Sequence, residues 1–297
     1  MLNLSYLAVI LLEYSKSADE YVQPSQAQPH RLVLVADPQL VDPHTYPGRP
    51  WPLSALTVAF TDKYLKRSYK LLHRSLDPDT VFFLGDLFDG GREWATQALE
   101  FESSEKRWKS YGELFWIREY NRFGDIFFSP DQMSGGLPLT KVKRVFPSLP
   151  GNHDLGFGNG IQKSVRDRFR AYFGESDRVD IVGNHTFVSL DTVSLSAMGQ
   201  PDADESLWNG TLQFLDQTQH LKTEAVKQTL GFQKNTMTRP KYSHEVTQPE
   251  YLDSRSTSKN DKQDSKPELP TIVLTHVPLY REPGTPCGPL RERHPPR

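Results

Sequence analysis

The sequence predicts an α/β fold of layered sheets and helices. Short, continuously apolar runs recur along the chain, and the first two clear ones are separated by a stretch with helical periodicity. Such runs mark strands covered on both faces, whereas the strands of a one-sided sheet alternate in polarity. A third observation concerns where the runs end. In five places an apolar run gives way directly to polar residues, as expected where loops converge at the carboxyl edge of an open α/β sheet.

The elements follow in order. Residues 4–12 are apolar but far short of the roughly 20 residues that span a bilayer, and no basic leader precedes them. They read as the remnant of a membrane anchor or as a first strand or helix, so residues 1–29 are set apart as an N-terminal segment. Residues 31–36 (RLVLVA) are the clearest strand, and a proline-rich loop, 44–52 (HTYPGRPWP), follows. Residues 61–76 carry Leu65, Tyr69, Leu72 and Leu76 on one helical face, with Thr61 as the N-cap. Residues 80–84 (TVFFL) form a second strand. Residues 94–123, rich in charge and bearing Trp108, Tyr111, Phe115, Trp116 and Tyr120, read as an amphipathic helix on the sheet. Residues 145–149, 187–190 and 271–274 are further strands. Between 234 and 268 the chain turns polar, which predicts a disordered insertion inside one domain spanning 30–297. No internal repeat is present.

Composition narrows the function classes. Lys plus Arg (35) nearly balance Asp plus Glu (37), so no global field points to a nucleic-acid partner. The hydrophobic fraction of 36% with 23 prolines suggests polar loops around an ordinary core. The single cysteine, Cys287, excludes a disulfide framework within the chain. Acceptor triplets for N-glycosylation at Asn3, Asn184 and Asn209 favour a lumenal setting only mildly.

The chemistry sits at the run ends: Asp37 and Gln39; Asp86 and Asp89; Asn152, His153 and Asp154; Asp191; and His276. Carboxylates, carboxamides and imidazoles together suit two divalent cations such as Mn²⁺, Fe²⁺ or Zn²⁺. Two such ions need a shared anionic ligand, and Asp86, set among Gly85, Gly90 and Gly91, is the natural bridge. His44, Arg49 and Trp51, in the loop after the first motif, are candidates to line a substrate groove, as is Arg281 after His276. His185 reads as surface or structural, and Asp191 as a residue that caps or orients a loop, with a catalytic role the lesser alternative.

Asp37-Pro38-Gln39, Gly85-Asp86-Leu87-Phe88-Asp89, Gly151-Asn152-His153-Asp154 and Thr275-His276 resemble, in order, the motifs of the calcineurin-like metallophosphoesterases. The strings VADPQLVD, RPWPLSALT, LGDLFDGG and LTHVPLYR resemble one branch more closely. That branch comprises the fungal endoplasmic-reticulum enzymes acting on GPI-anchor glycans, relatives of the mammalian phosphodiesterase that removes ethanolamine phosphate from a GPI mannose. The resemblance implies a four-layer α/β/β/α sandwich and two metal ions, Mn²⁺ first among them. It also implies a phosphorylated glycolipid or GPI-anchored protein as substrate, membrane association and a lumenal catalytic domain. By the family's pattern Asp37 and Gln39 would hold the first metal, Asp86 would bridge, and Asn152 and His276 would hold the second. His153 would stand beside the scissile phosphate as the catalytic group, and Asp89 and Asp154 would orient the loops or its imidazole.

Two departures from the pattern stand out. Gln39 occupies a position where most members have histidine, which predicts a looser first metal or a preference for Mn²⁺ over Zn²⁺. The family's closing histidine motif has no counterpart after His276, and His294 lies in a different context, so the chain reads as C-terminally truncated. A phosphomonoesterase or protein phosphatase of the same fold, and a non-catalytic trafficking or cargo-binding protein with a degenerate metal site, are the alternatives.

Overall fold

A computed structural model of the protein describes residues 7–11, 30–128, 144–236 and 269–279. Strands β1 (Leu7–Leu11), β2 (Arg31–Val35), β3 (Thr80–Phe83) and β4 (Arg144–Phe146) lie side by side in that order in one sheet. Strands β5 (Arg178–Val182), β6 (His185–Ser189) and β7 (Thr271–Leu274) form the second. Pairing is parallel for β2–β3, β3–β4 and β6–β7, and antiparallel for β1–β2 and β5–β6. Residues 7–11 thus take the strand alternative, as the edge of the first sheet.

Period-2 alternation sorts the apolar strand residues into two cores. Leu32, Leu34 and Phe82 face the second sheet, where Val182, Phe187 and Leu274 meet them. Phe82 stacks on Phe146 at 4.6 Å and on Phe187 at 5.1 Å, joining the sheets through three rings. Val33, Val35, Val81 and Phe83 point the other way, into a core with Tyr69, Leu72, Trp116, Phe123 and Phe127. These come from helices α1 (Leu53–Leu76) and α2 (Glu113–Phe127). Among the described residues four more α-helices follow: the one-turn α3 (Asn152–Leu155), α4 (Lys163–Phe173), the one-turn α5 (Thr192–Leu195) and the long α6 (Asn209–Thr236). The last packs against β5, which completes the α/β/β/α layering.

Several expectations change. Helix α1 begins at Leu53, after Pro52, and Thr61 lies within it, its hydroxyl donating to the Thr57 carbonyl at 2.8 Å. Residues 94–112 are not helical apart from a 3₁₀ turn, Gln97–Leu99. The Thr96 hydroxyl takes the Phe101 N–H at 3.0 Å and the Ser103 hydroxyl the Glu105 N–H at 3.3 Å, so side chains satisfy backbone donors that a helix would use. The strand expected at 145–149 is Arg144–Phe146, and that at 187–190 is His185–Ser189. Strand β5 and helices α4 and α6 have no counterpart among the expected elements. The β5–β6 hairpin turns on Gly183 and Asn184, both at positive φ (53° and 60°), the signature of a tight two-residue turn. Helix α6 takes in residues 234–236 of the polar stretch; the remainder of the expected insertion lies outside the described residues.

Candidate metal centre

The parallel strands β2 and β3 deliver their following loops to one edge of the first sheet, and the parallel strand β7 of the second sheet does the same. Asp37, Gln39 and Asp86 follow β2 and β3 in the left-handed region, with φ of 49°, 34° and 52°. Non-glycine residues rarely sit there, and strain of this kind concentrates at functional sites. The loops are tied together by the Gln39 N–H donating to the Asp86 carbonyl (2.9 Å) and the Leu40 N–H to the Leu87 carbonyl (3.0 Å). A Cβ on Gly151 would lie 2.0 Å from Asp86 Oδ1, and one on Gly85 would lie 2.7 Å from His276 Nδ1. Only glycine permits that approach.

Asp86 stands at the middle. Its Oδ2 accepts from Gln39 Nε2 at 3.0 Å, and its Oδ1 accepts the His153 backbone N–H at 2.8 Å. His276 Nε2 lies 3.5 Å from Asp86 Oδ1 and 3.2 Å from Asn152 Oδ1. The same ring's Nδ1 is 2.8 Å from the Leu84 carbonyl, which can only accept, so Nδ1 carries the proton and the Nε2 lone pair faces Asp86 and Asn152. On the other side, Asp37 Oδ1 comes within 3.9 Å of His276 Nδ1. Asp37, Asp86 and His276 offer ligand atoms within 4.8 Å of one another.

Electrostatics bear on whether cations fit. Burial first, and then the like charge of Asp86, raise the Asp37 carboxyl above its ordinary range against the pull of His276. The half-buried Asp37 and the buried Asp86 carboxylates, crowded with an amide oxygen and an imidazole lone pair, form a donor set that divalent cations neutralise. The residues therefore fit a divalent cation.

His153 is held from behind. Its Nδ1 lies 2.7 Å from the Asp89 carbonyl and 3.2 Å from Asp89 Oδ1. Burial lowers the imidazole's proton affinity, but the hydrogen bond to Asp89 and the charge of Asp86 outweigh it, so the net shift is upward. Burial likewise opposes ionisation of Asp89, yet hydrogen bonds from His153, His44 and Thr45 hold its carboxyl well below the usual range. Asp154 is buried and accepts the N–H groups of Leu87, Phe88 and Gly151, lashing the second and third motifs together. Burial, then Asp86, push it up to about 7 despite these donors.

His44 has a larger part than groove lining. Its Nδ1 meets Asp89 Oδ2 at 3.0 Å, and its Nε2 lies 3.4 Å from Arg92, which can only donate, so Nδ1–H faces the carboxylate. Behind it, Asp42 accepts the His44 and Gly90 N–H groups at 2.8 Å each. Asp42, His44 and Asp89 also cluster closely enough for a metal, but these hydrogen bonds already satisfy the group, which buttresses His153 instead. The sequence signal for this was a histidine in the loop after the first motif, and nothing in it marked Asp89 as the partner.

Other expected residues lie elsewhere. Arg49 stacks over Tyr46 at 3.8 Å and donates to Thr57 at 2.6 Å, pinning its loop to α1 rather than reaching the metal centre. Trp51 is 82% exposed. Asp191 caps α5, accepting the Ser194 N–H at 2.8 Å, and His185 bonds the Gly183 carbonyl at 2.8 Å. Arg281, Cys287 and His294 lie outside the described residues.

The chain is 37% identical over 270 residues to Cell division control protein 1 of Saccharomyces cerevisiae, covering 91% of this chain and 40% of that protein. It is 29% identical over 170 residues to Metallophosphoesterase 1 homolog of Drosophila melanogaster, covering 57% of this chain and 35% of that one. Metallophosphoesterase 1 of Ailuropoda melanoleuca is 24% identical over 234 residues, covering 77% and 45%. The chain thus spans less than half the length of these curated relatives. No solved structure matches it. The calcineurin-like phosphoesterase family matches residues 30–294, nearly all of the chain, and the chain belongs to that family.

Proposed function

We propose that the chain is the catalytic domain of a metal-dependent phosphodiesterase that removes ethanolamine phosphate from a GPI-anchor mannose. It would work on the lumenal side of the endoplasmic-reticulum membrane, on a glycolipid or a GPI-anchored protein. One observation carries the chemical part: Asp86 lies 3.0 Å from Gln39 on one side and 3.5 Å from His276 on the other, and His276 in turn lies 3.2 Å from Asn152. The strings quoted above, VADPQLVD to LTHVPLYR, support the substrate class and the compartment, and the exposed sequon asparagines Asn184 and Asn209 are compatible with a lumen. Among the described residues no helix is long and apolar enough to cross a membrane.

Asp37, Gln39 and Asp86 would hold one cation and Asp86, Asn152 and His276 the other. When bound, such ions polarise the phosphate and acidify water, and Mn²⁺ suits the oxygen-rich set. The protein's own groups supply the rest. With Nδ1 engaged by Asp89, His153 keeps Nε2 for the substrate, where it would give a proton to the departing alkoxide. Asp89, in turn held by His44, keeps the ring from turning.

The test is hydrolysis of a bis-aryl and a mono-aryl phosphate with Mn²⁺, alongside metal analysis of the purified chain. Faster diester turnover, lost by roughly a hundredfold or more in His153→Ala, supports the reading. Preference for the monoester favours the monoesterase or protein phosphatase. Fewer than one ion per chain with no turnover leaves a non-catalytic binding protein.

A further inference from the structure

Helix α1 is apolar on two opposite faces. Tyr69 and Leu72 are buried against the first sheet and α2, with Leu65 and Leu76 packed beside them. On the far side Leu53, Leu56, Phe60, Tyr64 and Leu71 are 55%, 46%, 67%, 64% and 62% exposed. At about 100° per residue they fall along one stripe, and Trp51, just before the helix, is 82% exposed. A single exposed apolar residue is ordinary, but an aligned group with two aromatics marks an interaction surface.

Charge says what lies on it. Lys63, Lys66, Lys70 and Arg74 run along one flank of the stripe, and Arg67 lies within it. The helix holds these five cations against one acid, Asp62, a net of plus four in a chain whose total is −2. Asp62 is itself engaged on the inner side, 3.0 Å from Arg122 of α2, so the outward face is cationic. A second copy of the chain would set two such rows against each other. Aromatic rings beside a row of Lys and Arg instead match a bilayer interface, where rings settle at headgroup depth and cations meet lipid phosphates.

We propose that the Leu53–Leu71 face of α1, with the exposed Trp51 that precedes it, rests on the surface of an anionic lipid bilayer. The proposal deepens the membrane placement in the reading above and does not depend on the reaction. The loop that ends in Trp51 also carries His44, which bonds Asp89 at the metal centre, so docking here would hold the site near lipid headgroups.

Co-sedimentation of the purified chain with phosphatidylcholine vesicles, with and without phosphatidylserine, tests this. The chain should partition at least about tenfold better onto the phosphatidylserine vesicles, less so in high salt. The doubly truncated Trp51→Ala/Phe60→Ala variant and the charge-reversed Lys63→Glu/Lys66→Glu/Lys70→Glu variant should each lose roughly tenfold or more, with circular dichroism unchanged. Absence of vesicle binding, equal binding by all three proteins, or a dimer in sedimentation equilibrium that Phe60→Ala breaks would each overturn it. Hydrolysis of the soluble bis-aryl phosphate in the same preparations separates the two readings. Intact hydrolysis without vesicle binding removes the docking surface alone, and the converse removes the reaction alone.

Discussion

The carboxylate of Asp86 works in two directions, and its neighbours have to be small for it to do so. Gly151 lies so close that an added Cβ would meet the Asp86 backbone nitrogen at 2.1 Å as well as the carboxylate. Gly151→Ala is expected to move the proposed metal ligand Asp86, lowering Mn²⁺ affinity by about tenfold or more and costing roughly 1–3 kcal/mol in chemical unfolding. Gly124, inside α2 with open space around it, gives the opposite forecast: alanine there should add about 0.5–1 kcal/mol through helix propensity alone. If the two variants behaved alike, the close approach at Gly151 would not matter. Gln39 invites a gain instead. Its amide already reaches Asp86 at 3.0 Å, and Gln39→His should tighten Zn²⁺ binding by about tenfold in calorimetric titration, because imidazole is the better donor. His44 acts at one remove, through Asp89 on His153. Its replacement by alanine should slow diesters with poor leaving groups more than those with good ones, since a group that needs no proton loses little when His153 is misaligned. A uniform loss across leaving groups would reduce His44 to a structural part.

At the scale of elements, the joint between α1 and α2 is electrostatic as well as apolar. Arg122 of α2 contacts Glu119 on its own helix, Asp62 of α1 at 3.0 Å and the Val41 carbonyl of the first-motif loop at 2.6 Å. Burial chiefly raises Glu119 to about 7 against the pull of Arg122, and burial followed by Asp89 raises Asp42 to about 6. Both folded values exceed the unfolded ones, so between about pH 4 and pH 7 the folded chain keeps protons that the unfolded chain has released. Stability therefore falls as pH rises through that window, by up to about 3 kcal/mol for Glu119. Urea midpoints at about pH 5 and pH 8 should diverge in the native chain and diverge less in Glu119→Gln, where Asp42 and Asp154 keep the remainder; an unchanged divergence would mean that Glu119 contributes nothing to it. The elements themselves were unevenly legible. The strands that precede the metal centre stood out because burial on both faces makes their sequences uniformly apolar, as in 31–35 and 80–83. The first half of α1 stayed hidden because Leu53, Leu56 and Phe60 face solvent, so a search for one inward stripe begins only at Leu65. Residues 94–112 misled for a different reason. Trp94 and Trp108 are core residues held on a loop whose Thr96 and Ser103 hydroxyls replace helical hydrogen bonds. Among the candidate ligands, the order of short motifs was legible because each follows a strand, whereas the link from His44 to Asp89 depends on a fold that brings positions 45 residues apart into contact.

Across the whole molecule the candidate metal centre is a seam. Asp37, Asp86 and Asn152 come from loops of the first sheet and His276 from the end of β7 in the second, so the donor set exists only while the sheets are docked. What docks them is the layer of Leu32, Leu34, Phe82, Leu149, Val182, Phe187 and Leu274, with Phe187 fully buried against Phe82. A cation that binds only this docked arrangement stabilises it by mass action, about 2.7 kcal/mol at a hundred times its dissociation constant. Saturating Mn²⁺ should therefore raise the thermal midpoint by roughly 5–10 °C, and a chelator should abolish the increase. Phe187→Ala, far from the ligands in chemistry but in the middle of the seam, should cost about 3–5 kcal/mol and weaken Mn²⁺ binding as well. His276→Ala should spare the metal-free midpoint by comparison while removing most of the Mn²⁺-dependent rise. A midpoint that ignored Mn²⁺ in the native chain would mean that the two sheets do not bring their donors to a shared cation.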